Sequence, residues 1–402
     1  MPAFPDAGGV PAVADFILRV VACRPDYEVR VISLAASAHD PCSLLILDGR
    51  TWRRGVATRT GRARGRDYVH VGARFGELEF QRLARRPELS ALLRPCDLIQ
   101  VVAGVPAWAT PVLGLDRRVV LQVATLAAVE RRARASVERG PKAWWRAAMT
   151  QVVARLDRRA LQAVDVVMVE NPWMLAHARA GTGGTSVRIL HGPPGVDTTV
   201  FRPLAPADER SGSPYILAVG RFSDPRKNPT MLLEAYARVA AAAQPCPALV
   251  LAGADPPGAA FWARADALGL RRRVAFIHDP PADELAKLYR QALCLAFTSD
   301  EEGFGVVIIE AMASGIPVVA TRCGGPDGII TDGVDGYLVD LADAAAMADR
   351  LLRFVTNPQA AKAMGLSGLA TVEARFSDGA AGAAFLDLYD ELLGERSAPL
   401  TP

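Results

Sequence analysis

Residues 301–320 read EEGFGVVIIEAMASGIPVVA and combine a glycine loop, an apolar segment of helix length and a short apolar strand. The spacing predicts a helix over 305–313 and a strand over 316–320, and the apolar residues 293–297 before the loop predict another strand. Short strands without polar alternation, separated by helices, indicate a parallel sheet that is covered by helices on both faces. This stretch therefore predicts a doubly wound α/β domain.

The same alternation extends outward from this stretch. In the second half, further strands are predicted at 215–219, 248–252 and 274–277, and helices at 229–239 and 283–291, where the Asp283 side chain can cap the first turn. In the first half, strands are predicted at 27–34, 97–102, 118–124 and 165–169. The segment 191–214 is rich in Pro and Gly and has weak periodicity, so it predicts the hinge. The expected domains are residues 1–192 and 193–402.

The chain has 402 residues, which is too long for one ordinary core and fits two domains. Residues 1–190 carry 28 Lys and Arg against 17 Asp and Glu, a balance of +11, whereas residues 191–402 carry 18 against 26, a balance of −8. Opposite charges predict that the two domains bind different partners. No apolar run approaches the length of a membrane span, no secretory signal is evident, and the six scattered cysteines are expected to be reduced, so a cytoplasmic protein is predicted.

The loop with Gly8 and Gly9 normally follows the first strand of such a domain. Only seven residues precede this loop here. Either the domain lacks that strand or the start codon is misplaced, and both explanations stay open.

Polar residues follow the predicted strands of the second half at the points where ligands bind in open α/β sheets. Arg221 and Lys227 lie on the loop after the strand at 215–219, His278 follows the strand at 274–277, and Glu302 follows the strand at 293–297. Because the carboxyl ends of parallel strands share one edge of a sheet, these side chains are expected to line one site.

Two glycines and two acids determine the chemistry expected of the opening stretch. Gly303 and Gly305 allow close approach of the backbone, and the helix that starts there offers unpaired N–H groups and the positive end of its dipole to an anion. The Arg and Lys of the earlier loop add full positive charges, so a diphosphate is the natural guest. Glu302 and Glu310 can bind hydroxyl groups on opposite sides of that diphosphate. Hydroxyl-rich groups at both ends of a diphosphate describe a nucleotide sugar.

Four stretches together resemble glycosyltransferase family 4. They are EGFGVVIIEAMASGIPVVATRCGG at 302–325, TDGVDGYLV at 331–339, GRFSDPRKN at 220–228 and GVDTTVFRP at 195–203. The resemblance is strong over about residues 165–375 and weak over 1–164, where little beyond the Gly8-Gly9 pair matches. It implies a retaining glycosyltransferase with two facing Rossmann-like, doubly wound parallel-sheet domains, the GT-B architecture. The last helix, near 383–393, would then cross back onto the first domain.

The resemblance also implies roles for individual residues. Arg221 and Lys227 would hold the donor diphosphate, Glu302 the sugar hydroxyls and Glu310 the ribose, and His278 would lie where the family's loop passes the nucleobase. The residues implied to bind substrate are Gly8, Gly9, Arg221, Lys227, His278, Glu302, Gly303, Phe304, Gly305, Val306, Val307 and Glu310. Glu302, Arg221 and Lys227 are also implied to be catalytic.

The position of the lysine departs from the family's usual spacing. Family members commonly place Lys five positions after the Arg, and Arg226 stands at that position here. The variant loop DPRKN looks like one form that the family uses and favours Lys227, although either cation could serve.

A second departure concerns the reacting centre. Many family members carry a histidine near the reacting carbon, where this chain has Ala124. The retaining reaction is thought to use one face of the sugar, with the leaving diphosphate taking the acceptor proton, so positioning and charge stabilisation would supply most of the rate. Gln122, Thr125 and Glu130 are the polar neighbours expected near that centre. Two alternatives stay open: a nucleotide-sugar epimerase on the same scaffold, and a non-catalytic donor-binding protein.

No cofactor is predicted beyond the nucleotide sugar, which is the donor substrate. No pair of aspartates is placed for metal chelation, and the resembled family generally needs no metal to bind its donor. His39, His70 and His191 show no metal-ligand spacing and are expected to be structural or surface residues. No metal requirement is therefore expected.

Two basic segments of the first half concern the acceptor, which stays open as a glycan, a glycolipid or a small molecule. Seven arginines between Arg50 and Arg66 predict either a solvated, partly mobile loop or a surface for an anionic acceptor, a lipid phosphate or an anionic membrane. Nucleic acid is disfavoured because the run lacks stacking aromatic residues. Trp144 and Trp145 point about 100° apart on a helix, so one is expected to pack inward and the other to touch a bilayer or a partner. Peripheral contact of the basic domain with the inner face of the membrane is one of these expectations.

Overall fold

A computed structural model describes residues 8–132, 139–205 and 212–394. The chain divides into two compact units. The first extends to Pro193 and takes in the segment that begins at Gly382, and the second is Pro194–Ala381. Each unit combines helices with parallel strands, so the predicted α/β class is confirmed.

The described part of the first unit holds two sheets. Its strands are β1 (Val31–Leu34), β2 (Thr58–Ala63), β3 (Arg66–Val71), β4 (Leu98–Ala103), β5 (Arg118–Val123), β6 (Val166–Val169) and β7 (Arg188–His191). β1 pairs with β3 in parallel and β2 pairs with β3 in antiparallel fashion, whereas β4, β5, β6 and β7 form a parallel sheet in that order. Its helices are α1 (Gly9–Ala22), α2 (Gly49–Arg54), α3 (Glu79–Arg82), α4 (Pro87–Leu93), α5 (Ala127–Glu130), α6 (Pro141–Ala163) and α7 (Pro172–Gly181), with a 3₁₀ helix at Pro106–Val112.

The second unit is built on one parallel sheet. Its strands are β8 (Tyr215–Val219), β9 (Ala248–Gly253), β10 (Val274–His278), β11 (Cys294–Phe297), β12 (Val318–Thr321) and β13 (Tyr337–Val339), in the spatial order β10-β9-β8-β11-β12-β13. Its helices are α8 (Pro229–Ala242), α9 (Ala259–Ala267), α10 (Ala282–Gln291), α11 (Val306–Ala313), α12 (Pro326–Ile329), α13 (Ala344–Thr356) and α14 (Pro358–Arg375), with 3₁₀ helices at Pro225–Lys227 and Arg271–Arg273. Helix α15 (Asp378–Gly394) ends the described chain.

The strands of the second unit are buried on both faces. Ile216 and Ala218 of β8 pack in one core with α8 and α13, while Leu217 between them packs in a second core with α10 and α11. In β11, Ala296 belongs to the first core and Leu295 to the second. Each fully buried Leu or Ile contributes about 1.5–3 kcal/mol. Burial on both faces explains why these strands lack polar alternation.

Two local predictions are wrong. Helix α10 begins at Ala282 with Pro281 at its N-cap and has no side-chain cap, so Asp283 is not the cap but lies in the first turn, where its charge favours the positive end of the helix dipole. Strand β1 starts only at Val31, which pairs with Tyr68 of β3, and residues 28–30 before it are exposed and lie outside the sheet.

The last helix packs against elements of the first unit. Tyr389 donates a hydrogen bond to Gln100 Oε1 at 2.7 Å, and Arg24 donates to Asp390 Oδ2 at 2.6 Å. The rings of Phe385 and Phe16 meet edge to face with centroids 5.4 Å apart. From Gly382 onward, α15 is therefore part of the first compact unit.

The arginine-rich segment is not a loop. It comprises α2 and the antiparallel hairpin of β2 and β3, with Thr58 opposite Val71 and Ala63 opposite Arg66. The two residues of the turn, Arg64 (φ 51°) and Gly65 (φ 74°), both have the positive φ that tight hairpin turns require. Interpreting the arginines as a solvated loop overlooked this turn signal.

The prediction that one of the paired tryptophans packs inward is also wrong. Trp144 and Trp145 lie near the start of α6 and are 81% and 56% exposed. The first buried residue after them on this helix is Met149. Both indoles are on the surface because this end of α6 extends beyond the core that buries its later turns.

Candidate functional site

The loop after β8 is fixed at both of its ends. Gly220 donates a backbone hydrogen bond to the Ala252 carbonyl (2.9 Å) at the end of β9. At the other end Asn228 adopts a left-handed conformation (φ 44°), and its side chain caps α8 by accepting from the Met231 N–H at 3.0 Å. This cap holds Lys227, the residue before it, at the carboxyl edge of the sheet.

Lys227 and Glu302 meet at this edge. The lysine Nζ lies 2.5 Å from Glu302 Oε2 and 5.4 Å from the centroid of the Phe297 ring. Both side chains remain partly accessible, at 17% for the lysine and 23% for the glutamate. The structure thus brings together the two residues that the sequence predicts for the diphosphate and for the sugar.

The neighbouring cation has a different environment. Arg226 donates to Asp224 Oδ2 and to Glu301 Oε2, both at 2.8 Å. Burial opposes its charge, but the bonds to these two carboxylates outweigh burial and raise the pKa of Arg226 above its ordinary value. Arg226 therefore braces the loop, and Lys227 is the cation beside Glu302. Arg221 lies 3.8 Å from Asp224 Oδ2 with 47% of its side chain exposed.

The backbone of Glu302 is held by the turn after β12. The Glu302 N–H donates to the Cys323 carbonyl (3.2 Å), and the Gly325 N–H donates to the Glu302 carbonyl (2.9 Å). A Cβ on Gly325 would lie 2.2 Å from the Phe304 carbonyl oxygen, so only glycine fits there. Sequence reasoning did not assign this turn to the site, although the Gly324-Gly325 pair shortly after a strand was the available signal.

Gly305 opens helix α11 in a conformation that favours glycine (φ 104°). The next two N–H groups, of Val306 and Val307, are the first of the helix and have no acceptor within the described residues. They add the positive end of the helix dipole to the charge of Lys227. Phe304 turns its ring into the core, 5.8 Å from the Phe376 ring, so only its backbone and that of Gly303 can face a ligand.

Glu310 is oriented by a tyrosine that sequence reasoning missed. The Tyr289 hydroxyl donates to Glu310 Oε2 at 2.8 Å, and the Tyr289 ring packs edge to face on Phe201. Burial, with a smaller contribution from the Glu310 charge, raises the pKa of Tyr289 well above its ordinary value, so the hydroxyl stays a donor. In the sequence Tyr289 is one more residue on the buried face of α10, and only the fold gives it this partner.

His278 lies at some distance from these groups. It is the last residue of β10, the strand at one edge of the sheet, and three strand positions separate β10 from β11. At about 4.8 Å per position, His278 is roughly 14 Å along the sheet from β11, the strand before Glu302, and roughly 10 Å from β8, the strand before Lys227. The loops between them touch: a Cβ on Gly253 would lie 2.1 Å from the Gly220 carbonyl oxygen. His278 is therefore on the same rim and remote from the Lys227–Glu302 pair.

The remaining predicted residues lie in the first unit. Gly8, with φ 140°, is the N-cap of α1, and Gly9 begins that helix. Gln122 is fully buried and donates to Glu170 Oε1 (3.2 Å) and to the Gly192 carbonyl (2.9 Å). Thr125 is also buried, and its N–H donates to the Gly104 carbonyl at 3.0 Å.

Glu130 ends the short helix α5 and is half-buried. Ala124, the residue at the histidine position, follows β5 directly. Of the side chains near Ala124, Gln122 is engaged in the fold through its amide nitrogen, and these contacts place none of them as a base.

One group of side chains in the described residues is close enough to hold a metal ion: Asp40, Cys42 and His70 of the first unit. Its members already bond to one another and to a neighbour. His70 Nε2 lies 2.8 Å from Asp40 Oδ2, His70 Nδ1 lies 3.0 Å from Ser33 Oγ, and the Cys42 N–H donates to Asp40 Oδ1 at 2.9 Å. Burial and the nearby Asp40 raise the pKa of the Cys42 thiol. These contacts explain the cluster structurally: it links β1 and β3 to the loop after β1 that carries Asp40 and Cys42.

The comparisons with known proteins concern mainly the second unit. Residues 204–368 match the family described as glycosyl transferases group 1. The D-inositol 3-phosphate glycosyltransferase of Segniliparus rotundus is 35% identical over 221 residues, which are 52% of this chain and 48% of that protein. A GDP-mannose-dependent alpha-(1-6)-phosphatidylinositol monomannoside mannosyltransferase of Mycolicibacterium smegmatis is 34% identical over 203 residues, 47% of this chain and 53% of that protein. The chain thus spans about half the length of the curated relatives that it matches.

The solved structures extend the likeness to the whole fold. Sucrose-phosphate synthase from Thermosynechococcus elongatus superposes with a TM-score of 0.72 at 23% identity, over 97% of this chain and 94% of that one. This likeness confirms the predicted fold class, an α/β protein with two Rossmann-like parallel-sheet units of the GT-B type. Residues 204–368, which match the glycosyl transferases group 1 family, contain every predicted site residue of the second unit. Among the described helices, none combines the length and the apolar character needed to cross a bilayer.

Proposed function

We propose that the protein is a retaining, hexosyl-type glycosyltransferase that moves a sugar from a nucleotide-diphosphate sugar to an acceptor. One observation carries the proposal. Lys227 and Glu302 meet at 2.5 Å beside a glycine turn whose helix leaves the N–H groups of Val306 and Val307 without an acceptor in the described residues. The names of the relatives, an inositol 3-phosphate glycosyltransferase and a GDP-mannose-dependent mannosyltransferase, support transfer from an activated sugar.

In this proposal the second unit binds the donor. Arg221, Lys227 and the first amides of α11 stabilise the charge that grows on the diphosphate as the bond between the sugar C1 and the diphosphate oxygen breaks. Glu302 binds hydroxyls of the sugar and Glu310 those of the ribose. The acceptor oxygen bonds to C1 from the same face, and its proton passes to an oxygen of the leaving diphosphate. Neither a metal nor a protein base takes part, and the rate comes from positioning and charge stabilisation.

The first unit binds the acceptor in this proposal. Its excess of positive charge suits more than the negatively charged donor. It also suits an acceptor that is anionic or linked to a lipid. Nucleic acid is not the partner. We place the protein in the cytoplasm, peripheral to the inner face of the membrane.

Calorimetric binding of nucleotide sugars tests the donor site. Lys227→Ala and Glu310→Ala should each weaken binding about ten- to hundredfold, because a hydrogen bond to a charged group contributes about 1.5–3 kcal/mol. Lys287→Ala and Glu284→Ala, exposed positions on α10, are the matched controls. Equal affinity in all four variants would contradict the proposal, and a loss of affinity on adding a chelator would contradict its metal-free form.

A second candidate, a protein that binds the donor without turning it over, is favoured by Ala124 and by the engagement of Gln122 in the fold. Tight binding with neither hydrolysis nor transfer of any donor would support it. Incubation with donor alone also tests an epimerase, which would return an altered sugar.

A further inference from the structure

Three apolar side chains stand out on the surface around helix α2. Leu47 is 92% exposed, Trp52 is 56% exposed and Ile46 is 40% exposed. They belong to one short stretch of nine residues, 46–54, that follows the carboxyl end of β1. An exposed leucine in isolation is ordinary, but three large apolar residues so close together mark a contact surface.

Arginines surround these apolar residues. Residues 46–67 contain seven arginines against two aspartates. Arg50, Arg53 and Arg59 are exposed, and within the described residues none of them pairs with a carboxylate. We call the surface formed by Ile46, Leu47, Trp52, Arg50, Arg53 and Arg59 the α2 surface. Its three arginines outnumber the two carboxylates that contact the same stretch, Asp48 and Glu77, so its net charge is positive.

The α2 surface is held in place by the fold. The Trp52 Nε1–H donates to the Leu45 carbonyl at 2.9 Å, and its ring lies 6.2 Å from the Phe75 ring. The Leu47 N–H donates to Glu77 Oε1 at 3.3 Å, and Asp48 caps α2 through the Arg50 N–H. The apolar side chains are therefore presented outward by an anchored segment.

We propose that the α2 surface docks on an anionic lipid bilayer. Leu47 and Ile46 would enter the boundary between headgroups and acyl chains, the Trp52 ring would lie at headgroup level, and the arginines would contact lipid phosphates. Burial of the leucine and attraction of the arginines to the anionic surface both favour this arrangement. A soluble anion would use the arginines and leave the apolar residues without a partner, which favours the bilayer.

This inference rests on the peripheral membrane placement made under the proposed function and deepens it by naming the surface that makes the contact; it does not depend on the donor. Docking through this surface would bring a lipid-linked acceptor to the first unit, which carries the positive charge.

Vesicle sedimentation with the full chain tests the docking. The protein should bind vesicles that contain phosphatidylglycerol and should bind phosphatidylcholine vesicles weakly, with an affinity that falls as salt rises. Leu47→Asp should weaken binding about tenfold or more, and Arg50→Glu with Arg53→Glu should weaken it further. Leu366→Asp, a 53% exposed position on α14 of the second unit, is the matched control and should bind like the parent.

Two outcomes would overturn the proposal. One is the absence of binding to phosphatidylglycerol vesicles at low salt. The other is binding that Leu47→Asp leaves unchanged and that free inorganic polyphosphate abolishes, which would make this surface a site for soluble anions. Donor calorimetry on the same variants separates this result from the proposed function, because these substitutions lie outside the donor site.

Discussion

The carboxyl edges of the sheets in the two units use charge in opposite ways. In the second unit, Lys227 and Glu302 pair in a partly exposed position beside helix amides that lack acceptors in the described residues. In the first unit, Arg86 is 2% exposed and donates to the Val71 and Gly72 carbonyls at 2.7 and 3.1 Å, at the end of β3. Burial lowers the pKa of Arg86 to about 10. A charged side chain that donates to backbone carbonyls stabilises the fold. A charged side chain that lies beside N–H groups without acceptors is available to a ligand.

The largest expected effect is the loss of stability when the buried Arg86 is replaced. Arg86→Leu removes the guanidinium hydrogen bonds to the buried Val71 and Gly72 carbonyls and should lower the free energy of unfolding by about 3 kcal/mol. Urea unfolding of the variant measures this loss. Arg74→Leu, at an exposed position nearby, should change stability by only about 0.5 kcal/mol. If Arg86→Leu kept full stability and lost binding to a substrate, Arg86 would be a ligand residue and the contrast would fail.

A somewhat smaller effect concerns a buried acid of the first unit. Asp157 is 2% exposed and accepts hydrogen bonds from the Ala107 and Ala127 N–H groups at 2.8 and 2.9 Å. Burial raises the pKa of Asp157 to about 6 from an ordinary value of 3.8. A raised carboxyl pKa stabilises the folded state below about pH 4, and this contribution is lost as the pH rises through 6.

Unfolding in urea between pH 4 and pH 7 measures this dependence. The stability of the parent relative to Asp157→Asn should fall by roughly 2 kcal/mol over that range, because the variant has no carboxyl proton to lose. Asp116→Asn, an exposed acid, should follow the parent at every pH. A constant gap between the parent and Asp157→Asn would show that Asp157 titrates normally.

The smallest expected effect concerns Tyr289, which holds Glu310 in the candidate site of the second unit. Tyr289→Phe removes the hydroxyl that holds Glu310 and should weaken donor binding severalfold, about 0.5–1.5 kcal/mol for one hydrogen bond. If Glu310 binds the ribose, the loss should be smaller for a nucleotide that lacks the ribose hydroxyls. An equal loss with both nucleotides would place the effect in packing. Tyr215→Phe, which removes a hydroxyl bonded to the Leu288 carbonyl, is the matched control.

The sequence predicts the second unit well because local and tertiary signals agree there. Residues 215–219 form β8 as predicted, and the glycine turn before α11 lies where the spacing puts it. Both faces of these strands are buried, so a continuous apolar run is a clear signal. The loops that carry Arg221, Lys227 and Glu302 follow from the strand ends alone.

What the sequence does not predict depends on partners distant along the chain. Tyr289 gains its role from Glu310, and Glu302 is held by Cys323 and Gly325, which belong to a later turn. The outer strand β2 of the arginine-rich hairpin lacks apolar alternation. The Arg64-Gly65 turn is therefore the only sequence signal that predicts this hairpin.

The contact between Lys227 and Glu302 has a consequence for selectivity. Each of these two charges has a counter-ion within the protein. A free sugar offers the ammonium group no counter-charge, and a bare phosphate brings a second negative charge to the carboxylate, so either one alone would separate the pair at a net loss. Under the proposed function, a molecule that has both a diphosphate and sugar hydroxyls compensates both partners at once. The ion pair therefore selects the whole substrate over its fragments.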